Sequence, residues 1–439
     1  MMSSGSMALN RDALSALLRR SFDAAVAAAD PLKIVASHLP APPRGGRTLV
    51  VGAGKAAASM AAAVEAAWPH DQPLSGMVIT RYAHGCPLAR IRCIEAGHPV
   101  PDQAGEQAAA EILEQVRSLT PDDQLIVLVS GGGSSLLALP VDGVSMADLK
   151  GLTQGLLKSG APITDMNVVR KHLSKIQGGH LALASRAPVT ALVISDVVGD
   201  DPSAIASGPC SPDPSTYADA IAVLRRWNVT AAPSIEAHLA AGARGNVPET
   251  PKPGDHRLTH ATTWVIATAR SSLMAAADVF SASGIRPILL GDSVTGEARD
   301  VAQVYASWVR ELAVFGSPAL PLPVVLISGG ECTVTVKGSG RGGRREEFLL
   351  ALALALDELG VADRVAAIAA DTDGIDGVSP HAGALVLADT VARAASRGLS
   401  LRALLDNNDG LGVFEPLEDV ITTGPTRTNV NDYRAIVVM

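Results

Sequence analysis

Glycine and arginine are concentrated in one short segment, Gly338–Glu347, which reads GSGRGGRREE and leads into a stretch rich in Leu and Ala. A buried strand is predicted just before it, over Val324–Ser328, and ends in Gly329-Gly330-Glu331. Glycine lets backbone N–H groups turn toward a ligand, a following helix N-terminus adds a positive dipole, and guanidinium groups bind anionic oxygens in a bidentate manner. The segment therefore predicts a site for a small phosphate or carboxylate. Its candidate binding residues are Gly330, Glu331, Arg341 and Arg344.

Another glycine turn, Gly52–Lys55, follows a predicted strand at Thr48–Val51. With Ala57 it half-matches the dinucleotide fingerprint G-x-G-x-x-G/A, but Thr80 stands where that fingerprint needs an acidic residue. Lys55 at a helix N-terminus is well placed to neutralise a phosphoryl group. The alternative is a structural turn for close helix–sheet packing with a solvated lysine. The candidate binding residues of this turn are Gly52, Gly54 and Lys55.

Three consecutive glycines flanked by serines follow the apolar strand predicted at Leu125–Val129. Such a loop forms an anion-binding nest with hydroxyl donors, and ligands collect at the carboxyl ends of strands in open parallel sheets. A structural turn would not need three glycines in a row, so the binding interpretation is favoured. The candidates are Ser130, Gly131, Gly132, Gly133, Ser134 and Ser135.

Carboxylates at strand ends are candidate Mg²⁺ ligands, because Mg²⁺ prefers oxygen donors and lets phosphates complete its octahedron. Asp196, after the strand predicted at Val189–Ile194, is the best placed, whereas Asp200 and Asp201 are equally consistent with turn and capping roles. Asp371 and Asp373 are further candidates in the segment AADTDGIDG. That segment resembles a calcium loop only superficially, since the terminal Glu is missing, and an Asp/Gly turn is its alternative reading.

A compact group of hydroxyl and amide side chains lies near the C-terminus, over Thr422–Asp432. Chain ends are usually plain and frayed, so this group predicts a further part of the site. Its candidate binding residues are Thr428 and Asn429.

The composition excludes several function classes. With 36 Lys+Arg against 44 Asp+Glu the net charge is −8, which disfavours nucleic acid and anionic membranes as partners. Aromatic residues make up 3%, so stacking platforms for bases are not expected. The four cysteines show no C-x-x-C pair, and no apolar run is long enough to span a membrane. We expect a cytoplasmic protein whose polar leader Met1–Met7 is disordered.

Strand-length apolar runs alternate with Ala-rich helical segments, which predicts an α/β protein with a mainly parallel sheet and two domains. The segment Ala240–Arg257, rich in Gly, Pro and charge, is the predicted linker, between domains at 8–245 and 258–439. Alternating polar and apolar residues over Glu331–Gly338 predict a short antiparallel element. Further predicted strands are Met77–Thr80, Thr263–Ala267, Ile285–Leu290, Thr333–Val336 and Val365–Ala369. Predicted helices are Ala56–Ala67, Gln103–Leu119, Asn167–Ile176, Thr216–Trp227, Ser271–Ser283, Glu297–Glu311 and Arg345–Leu359.

Several long motifs in this order resemble the class II glycerate 2-kinases, whose C-terminal half carries the MOFRL region, here about 322–436. They are GAGKAA, SGGGSS, KHLSKIQGGHLA, ISDVVGDDPSAIASGP, SGGE, GSGRGGR, AADTDGIDG and TGPTRTNVND. The resemblance implies an N-terminal Rossmann-like α/β/α domain, a smaller C-terminal α/β domain and a site in an interdomain cleft. It also implies transfer of the γ-phosphoryl of ATP to O2 of D-glycerate, with Mg²⁺, giving 2-phosphoglycerate and ADP.

The resemblance assigns catalytic roles to Lys55 and to Arg344, with Arg341 as the alternative arginine. One departure is visible: the family commonly reads Asn-Gln where this chain has Arg345-Glu346. The charged pair either forms an extra ion pair on the helix or alters how substrate is held.

Two other functions remain open. Many relatives of this kind are labelled hydroxypyruvate reductase, and the half-matched fingerprint with Arg81 permits an NAD(P)H-dependent reductase. A phosphosugar sensor without catalysis would need only the SGGGSS loop. D-glycerate and ATP are the expected small-molecule partners of the kinase, and a homodimer is compatible with the sequence.

Overall fold

The computed structural model describes residues 10–316 and 320–439, so the predicted leader lies outside the described residues. The chain forms two compact units. One is Asp30–Thr268, and the other combines the chain up to Ala29 with Ala269–Met439. An N-terminal helix thus belongs to the same unit as the C-terminal half.

The strands are β1 (Thr48–Ala53), β2 (Leu74–Arg81), β3 (Ile91–Ala96), β4 (Gln124–Val129), β5 (Val189–Ile194), β6 (Ala261–Ala267), β7 (Arg286–Glu297), β8 (Val324–Thr333), β9 (Val365–Asp371), β10 (Gly383–Val386), β11 (Val420–Ile421) and β12 (Asp432–Val438).

The helices are α1 (Arg11–Ala27), α2 (Pro31–Ile34), α3 (Ala57–Ala67), α4 (Gln103–Arg117), α5 (Gly133–Leu136), α6 (Met146–Ser159), α7 (Ile163–Lys171), α8 (His180–Ala184), α9 (Tyr217–Arg226), α10 (Pro233–Ala243), α11 (Ala269–Ala282), α12 (Ala298–Arg310), α13 (Arg344–Glu358), α14 (Thr390–Ser396), α15 (Leu401–Asp406) and α16 (Leu411–Phe414).

The unit Asp30–Thr268 is built on a six-stranded sheet in the order β3-β2-β1-β4-β5-β6, with every pair parallel. All six residues of β1 are buried, as expected for a parallel strand covered on both faces. The strand order reverses between β1 and β4. In open α/β sheets ligands bind beside the carboxyl ends of the strands at such a switch point, so the fold directs attention to the loops after β1 and β4.

The other unit has a six-stranded mixed sheet in the order β11-β10-β9-β12-β8-β7. The strand β12 runs antiparallel between β8 and β9, and among the described strands of this sheet only β7 and β8 pair in parallel. The carboxyl ends of β8 and β9 and the amino end of β12 therefore lie at one edge of the sheet. One hydrophobic cluster on this sheet is completed by Leu14, Leu18 and Phe22 of α1.

The α/β class and the two-domain organisation are confirmed, and so are most of the predicted strands. The predicted antiparallel element at Glu331–Gly338 is wrong, because β8 continues to Thr333 in parallel register with β7. The helix predicted over Asn167–Ile176 begins earlier and ends at Lys171. Sequence reasoning missed β3, β10, β11 and β12, which are short or lie beside polar segments.

The structure divides the chain at different places from the predicted linker at Ala240–Arg257. That segment is packed within the first unit: Thr250 is buried, and its hydroxyl donates to Asp213 Oδ2 at 3.1 Å. The chain passes between the units after Ala29 and after Thr268. Gly- and Pro-rich composition indicated an exposed connection, but buried polar partners hold this one in place. Across the described residues, no helix is both long and apolar enough to cross a bilayer.

Candidate functional site

The loops after β1 and β4 are bonded directly to each other at the switch point of the parallel sheet. The Lys55 N–H donates to Gly131 O at 2.8 Å, and the Ser130 N–H donates to Ala53 O at 3.2 Å. The Ser130 hydroxyl accepts the N–H of Ala56 at 3.0 Å. The structure thus brings the predicted Lys55 turn and the predicted Ser130–Ser135 nest into one constellation.

Two glycines let this constellation close. Gly54 has φ +139°, and a Cβ there would lie 2.1 Å from Ser130 Oγ. Gly132 has φ +83°, and a Cβ there would lie 2.8 Å from His98 Nε2 and 3.6 Å from Lys55 Cγ. Lys55 and His98 therefore flank Gly132, where any side chain would fill the space beside the lysine.

Packing between strands explains why position 52 is a glycine. It lies inside β1, and a Cβ there would come within 2.1 Å of Leu128 O on β4. Its missing side chain permits close approach of neighbouring backbone. The structural interpretation of this turn therefore applies to Gly52.

A polar network that sequence reasoning missed supports the serines of the nest. Ser134 Oγ lies 2.9 Å from Ser207 Oγ, and Ser207 Oγ donates to Asn167 Oδ1 at 3.1 Å. Gln177 Nε2 donates to Ser134 O at 2.8 Å, and Ser135 Oγ donates to Gly132 O at 3.1 Å. The supporting residues come from α7, the turn before α8 and the strained segment around Ser207, which has φ +58°. No local pattern in the sequence joins these three segments.

The predicted arginines of the other unit lie in a cluster of carboxylates at the edge where β8 and β9 end. Arg344 Nε donates to Asp432 Oδ1 at 3.1 Å, and its Nη1 donates to Glu331 Oε1 at 2.8 Å. Arg345 is buried and pairs with Asp371, with Asp432 and, at 3.2 Å, with Asp376 Oδ1. Arg344 therefore contacts the predicted binding residue Glu331, whereas the predicted metal ligand Asp371 forms an ion pair with Arg345.

Burial and the charges within this cluster shift the pKa values of its carboxyl groups. Burial alone would raise the pKa of Asp432, but the charges of Arg345, Arg434 and Arg344 outweigh burial and hold it below its ordinary value. Burial, and next the charge of Asp376, raise the pKa of the Glu346 carboxyl to about 8. The charged pair at 345 and 346 thus consists of a buried, paired arginine and a glutamic acid that keeps its proton near neutral pH.

The other predicted binding residues of this unit are exposed, enclosed by the fold or needed for strand packing. Arg341 is largely exposed and pairs with Glu415 at 3.2 Å. Thr428 is buried and its hydroxyl donates to Ala29 O at 2.7 Å, while Asn429 is buried beside it. The fold encloses both side chains, and the predicted binding role of Thr428 and Asn429 stays a prediction. Gly330 has φ +117°, and a Cβ there would lie 2.1 Å from Val294 O, so its need for glycine comes from strand packing.

Two protein families match separate parts of the chain. Residues 17–240 match the family described as a domain of unknown function, DUF4147, and residues 324–432 match the MOFRL family. A protein from Agrobacterium vitis that carries the provisional name hydroxypyruvate reductase is 48% identical over 96% of this chain and 94% of its own. Glycerate 2-kinase from Pyrococcus horikoshii is 37% identical over 90% of this chain and 88% of its own. A crystal structure of glycerate kinase from Thermotoga maritima superposes with a TM-score of 0.85 and 35% identity, over 98% of this chain and 100% of the other.

The chain belongs to the glycerate kinase family. In this member the MOFRL match begins at the first residue of β8 and ends at the first residue of β12, so it spans the arginine–carboxylate cluster. The DUF4147 match spans the Lys55 turn and the nest. Both constellations predicted from sequence therefore lie in the regions that define the family.

The resemblance described above predicted Mg²⁺, and the described residues offer that ion few ligands. No group of three or more His, Cys, Asp or Glu side chains among them is arranged to hold a metal ion. Asp196 lies two residues beyond β5 and is partly buried, so it fits the one-carboxylate mode in which phosphates and water supply the other ligands. Asp371 is paired with Arg345, and Asp373 Oδ1 accepts the Ile375 N–H at 3.0 Å in the manner of a turn. Asp201 likewise accepts from Ser203, as its predicted turn role requires.

Proposed function

We propose that this protein transfers the γ-phosphoryl group of ATP to O2 of D-glycerate, giving 2-phosphoglycerate and ADP. The observation that carries the proposal is the Lys55 turn bonded to the Gly131–Gly133 nest at the switch point of the parallel sheet. Membership of the glycerate kinase family supports the same reaction class. The substrates are small molecules, and we place the reaction in the cytoplasm.

Phosphoryl transfer requires little covalent chemistry from the protein and depends on positioning the substrates and neutralising their charge. The nest can supply both. The N–H groups of Gly131 and Gly132 donate to no acceptor among the described residues, so they are available to phosphate oxygens. Lys55 beside them would neutralise charge on the transferred group. Asp196 would hold Mg²⁺, which shields the charge of the β- and γ-phosphate oxygens when bound.

Arg344 is the second catalytic residue of the proposal. Its guanidinium is only partly exposed and contacts Glu331 and Asp432. These two carboxylates fix its orientation and use two of its five N–H donors, which leaves three donors for a ligand. Its role is to stabilise negative charge on substrate or on the transferred group.

The test combines product identification with a matched pair of lysine variants. ³¹P NMR of the protein with ATP, Mg²⁺ and D-glycerate should show a new phosphomonoester at the 2-position. Lys55→Ala should lower kcat by at least about 100-fold, since one charge-stabilising contact in a phosphoryl-transfer site is worth that much. Lys158→Ala, on the exposed side of α6, should leave kcat unchanged. Near-normal turnover by a folded Lys55→Ala variant would refute the assignment of this lysine.

A second candidate, an NAD(P)H-dependent hydroxypyruvate reductase, is favoured by the strand order of the first unit, which is that of dinucleotide-binding folds. Thr80 and Arg81 end β2 where a ribose-binding acid would stand. An NADPH absorbance assay with hydroxypyruvate, run beside the NMR experiment, distinguishes the two. Oxidation of NADPH without phosphoester would replace the kinase proposal with the reductase.

A further inference from the structure

A cavity in the parallel unit adjoins the nest on the side of α6 and α7. Its cavity volume is about 20 Å³, within about 400 Å³ of space that includes open solvent, and it shares Ser134 and Ser135 with the nest. Arg170 of α7 and Lys150 of α6 line it, together with apolar side chains such as Leu139 and Leu149. No carboxylate side chain lines it, so the wall is positively charged and otherwise uncharged.

Unlike the three arginines of the Gly338–Glu347 segment, Arg170 has no acidic partner among the residues that the structure describes. Arg341, Arg344 and Arg345 each form an ion pair with a carboxylate. Within residues 10–316 and 320–439, the hydrogen bond of Arg170 Nη1 to Asn167 Oδ1, at 3.5 Å, is the contact its guanidinium makes. Burial lowers the pKa of this guanidinium, and no neighbouring carboxylate raises it. Arg170 is partly buried, and removing a charge from water without a counter-charge is costly for a fold, so its retention indicates an anion that arrives with a ligand.

Arg170 is also connected to the nest by hydrogen bonds. Asn167 Oδ1 accepts from Arg170 Nη1 and from Ser207 Oγ, and Ser207 Oγ lies 2.9 Å from Ser134 Oγ. The same polar chain therefore orients the guanidinium and the serine of the phosphate-binding loop. Lys150 also lines the cavity. Burial acts to raise the pKa of Asp102, the N-cap of α4, but hydrogen bonds from Gly105, Tyr82 and Gly97, and then the nearby charge of Lys150, hold it below its ordinary value. A ligand bound here would present its anionic end to Arg170 and its other end to the nest.

We propose that Arg170 binds the carboxylate of the three-carbon acid substrate, with Lys150 adding positive charge to the same wall. The assignment rests on the proposed function, because D-glycerate is the substrate that the kinase reaction would place beside the nest. A planar guanidinium fork matches a carboxylate in a bidentate manner. The aliphatic walls would contact the carbon chain, and the wall has no aromatic side chain for an adenine ring.

The test measures binding separately from turnover. Isothermal titration calorimetry would follow D-glycerate in the presence of a non-hydrolysable ATP analogue, and that analogue alone, for the wild type and Arg170→Gln. We expect the Kd for D-glycerate to rise about 10- to 100-fold, the worth of a lost charge-assisted hydrogen bond, and the Kd for the analogue to change less than twofold. Arg225→Gln, an exposed arginine on α9, is the matched control and should change neither. Arg170→Lys should recover part of the affinity, because it restores charge without the fork.

The other possible results of these titrations would overturn the proposal. Weaker binding of the analogue with unchanged D-glycerate affinity would assign Arg170 to the nucleotide phosphates and overturn the proposal, as would unchanged binding of both by a folded variant. Methyl D-glycerate, which lacks the negative charge, supplies a further check. The wild type should prefer the acid over the ester, and Arg170→Gln should lose most of that preference. If wild-type protein binds D-glycerate through Arg170 but forms no phosphoester, the proposed function fails while this assignment stands.

Discussion

Glu346 offers a sharp test of the electrostatics at the arginine–carboxylate cluster. The side chain lies at the start of α13 and is fully buried, and its Oε1 accepts from the Ser379 hydroxyl at 2.9 Å. Burial, and then the nearby charge of Asp376, raise its pKa from 4.5 to about 8. We therefore expect Glu346→Gln, which keeps the shape of the protonated acid and removes its titration, to stabilise the protein at neutral and alkaline pH.

The sign and size of the stability change expected for Glu346→Gln follow from proton linkage. Between pH 4.5 and about 8 the folded protein retains a proton on Glu346 that the unfolded chain releases. The free energy of unfolding then falls as pH rises, by about 1.4 kcal/mol per pH unit. Over the three units up to pH 7.5 this amounts to about 4 kcal/mol, and partial relaxation of the site would reduce it to about 2 kcal/mol. For a unit of this size, a gain of 2 to 4 kcal/mol corresponds to a rise in Tm of roughly 5 to 15 °C.

Thermal unfolding by circular dichroism, at half-unit steps from pH 5 to pH 8.5, would measure this difference. The gain in Tm from Glu346→Gln should be small at pH 5 and grow with pH until about pH 8. Glu358→Gln, near the other end of α13 where the carboxylate is exposed and paired with Arg402, should show no such growth. A Tm difference that is the same at every pH, or a loss of stability at pH 8, would refute the reasoning.

Three further substitutions test other parts of the structure. Gly54→Ala should lower Tm and abolish activity, because its Cβ would lie 2.1 Å from a serine oxygen. The control Gly143→Ala, with φ +85° and open space around it, should show only the smaller cost of the left-handed backbone. Thermal unfolding and turnover of the two variants would show whether the clash matters. Asp213→Asn should destabilise the first unit by about 3 to 5 kcal/mol, because it leaves the buried ammonium of Lys171 unpaired, and urea denaturation would measure the loss. Arg345→Ala should cost a similar amount, about 3 to 5 kcal/mol, because the buried carboxylates of Asp371 and Asp376 lose their arginine partner while Asp432 keeps Arg344 and Arg434. The loss should shrink at acidic pH as the unpaired carboxylates accept protons, and unchanged urea midpoints would contradict either estimate.

The sequence located the Lys55 turn and the Ser130–Ser135 nest, and the tertiary structure joined them. An apolar strand followed by glycines is a local pattern, so it could be identified without knowledge of the fold. The hydrogen bond from Lys55 N–H to Gly131 O depends on β1 and β4 being neighbours. Which strands become neighbours is decided by contacts between distant parts of the chain, and the alternation of helices and strands does not specify it.

The C-terminal half was harder to predict because its sheet is mixed. The strand β12 comes last in the chain yet lies between β8 and β9, which places Asp432 beside Arg344 and Arg345. The polar segment before β12 suggested a ligand site, but the fold encloses Thr428, whose hydroxyl bonds to Ala29. Side-chain polarity alone does not tell whether hydrogen bonds are made to a ligand or within the fold.

The sequence by itself determined the α/β class, the family and the two segments that carry the Lys55 nest and the Arg344 cluster. These depend on residue type and spacing over fewer than about 20 residues, where local backbone preference and hydrophobic periodicity decide the outcome. Only the tertiary structure decided which charges are neutralised: it pairs Arg344 and Arg345 with carboxylates, and it gives Arg170 no carboxylate partner within residues 10–316 and 320–439. Charge pairing depends on distances of a few ångströms between residues far apart in the chain, and folding alone sets those distances.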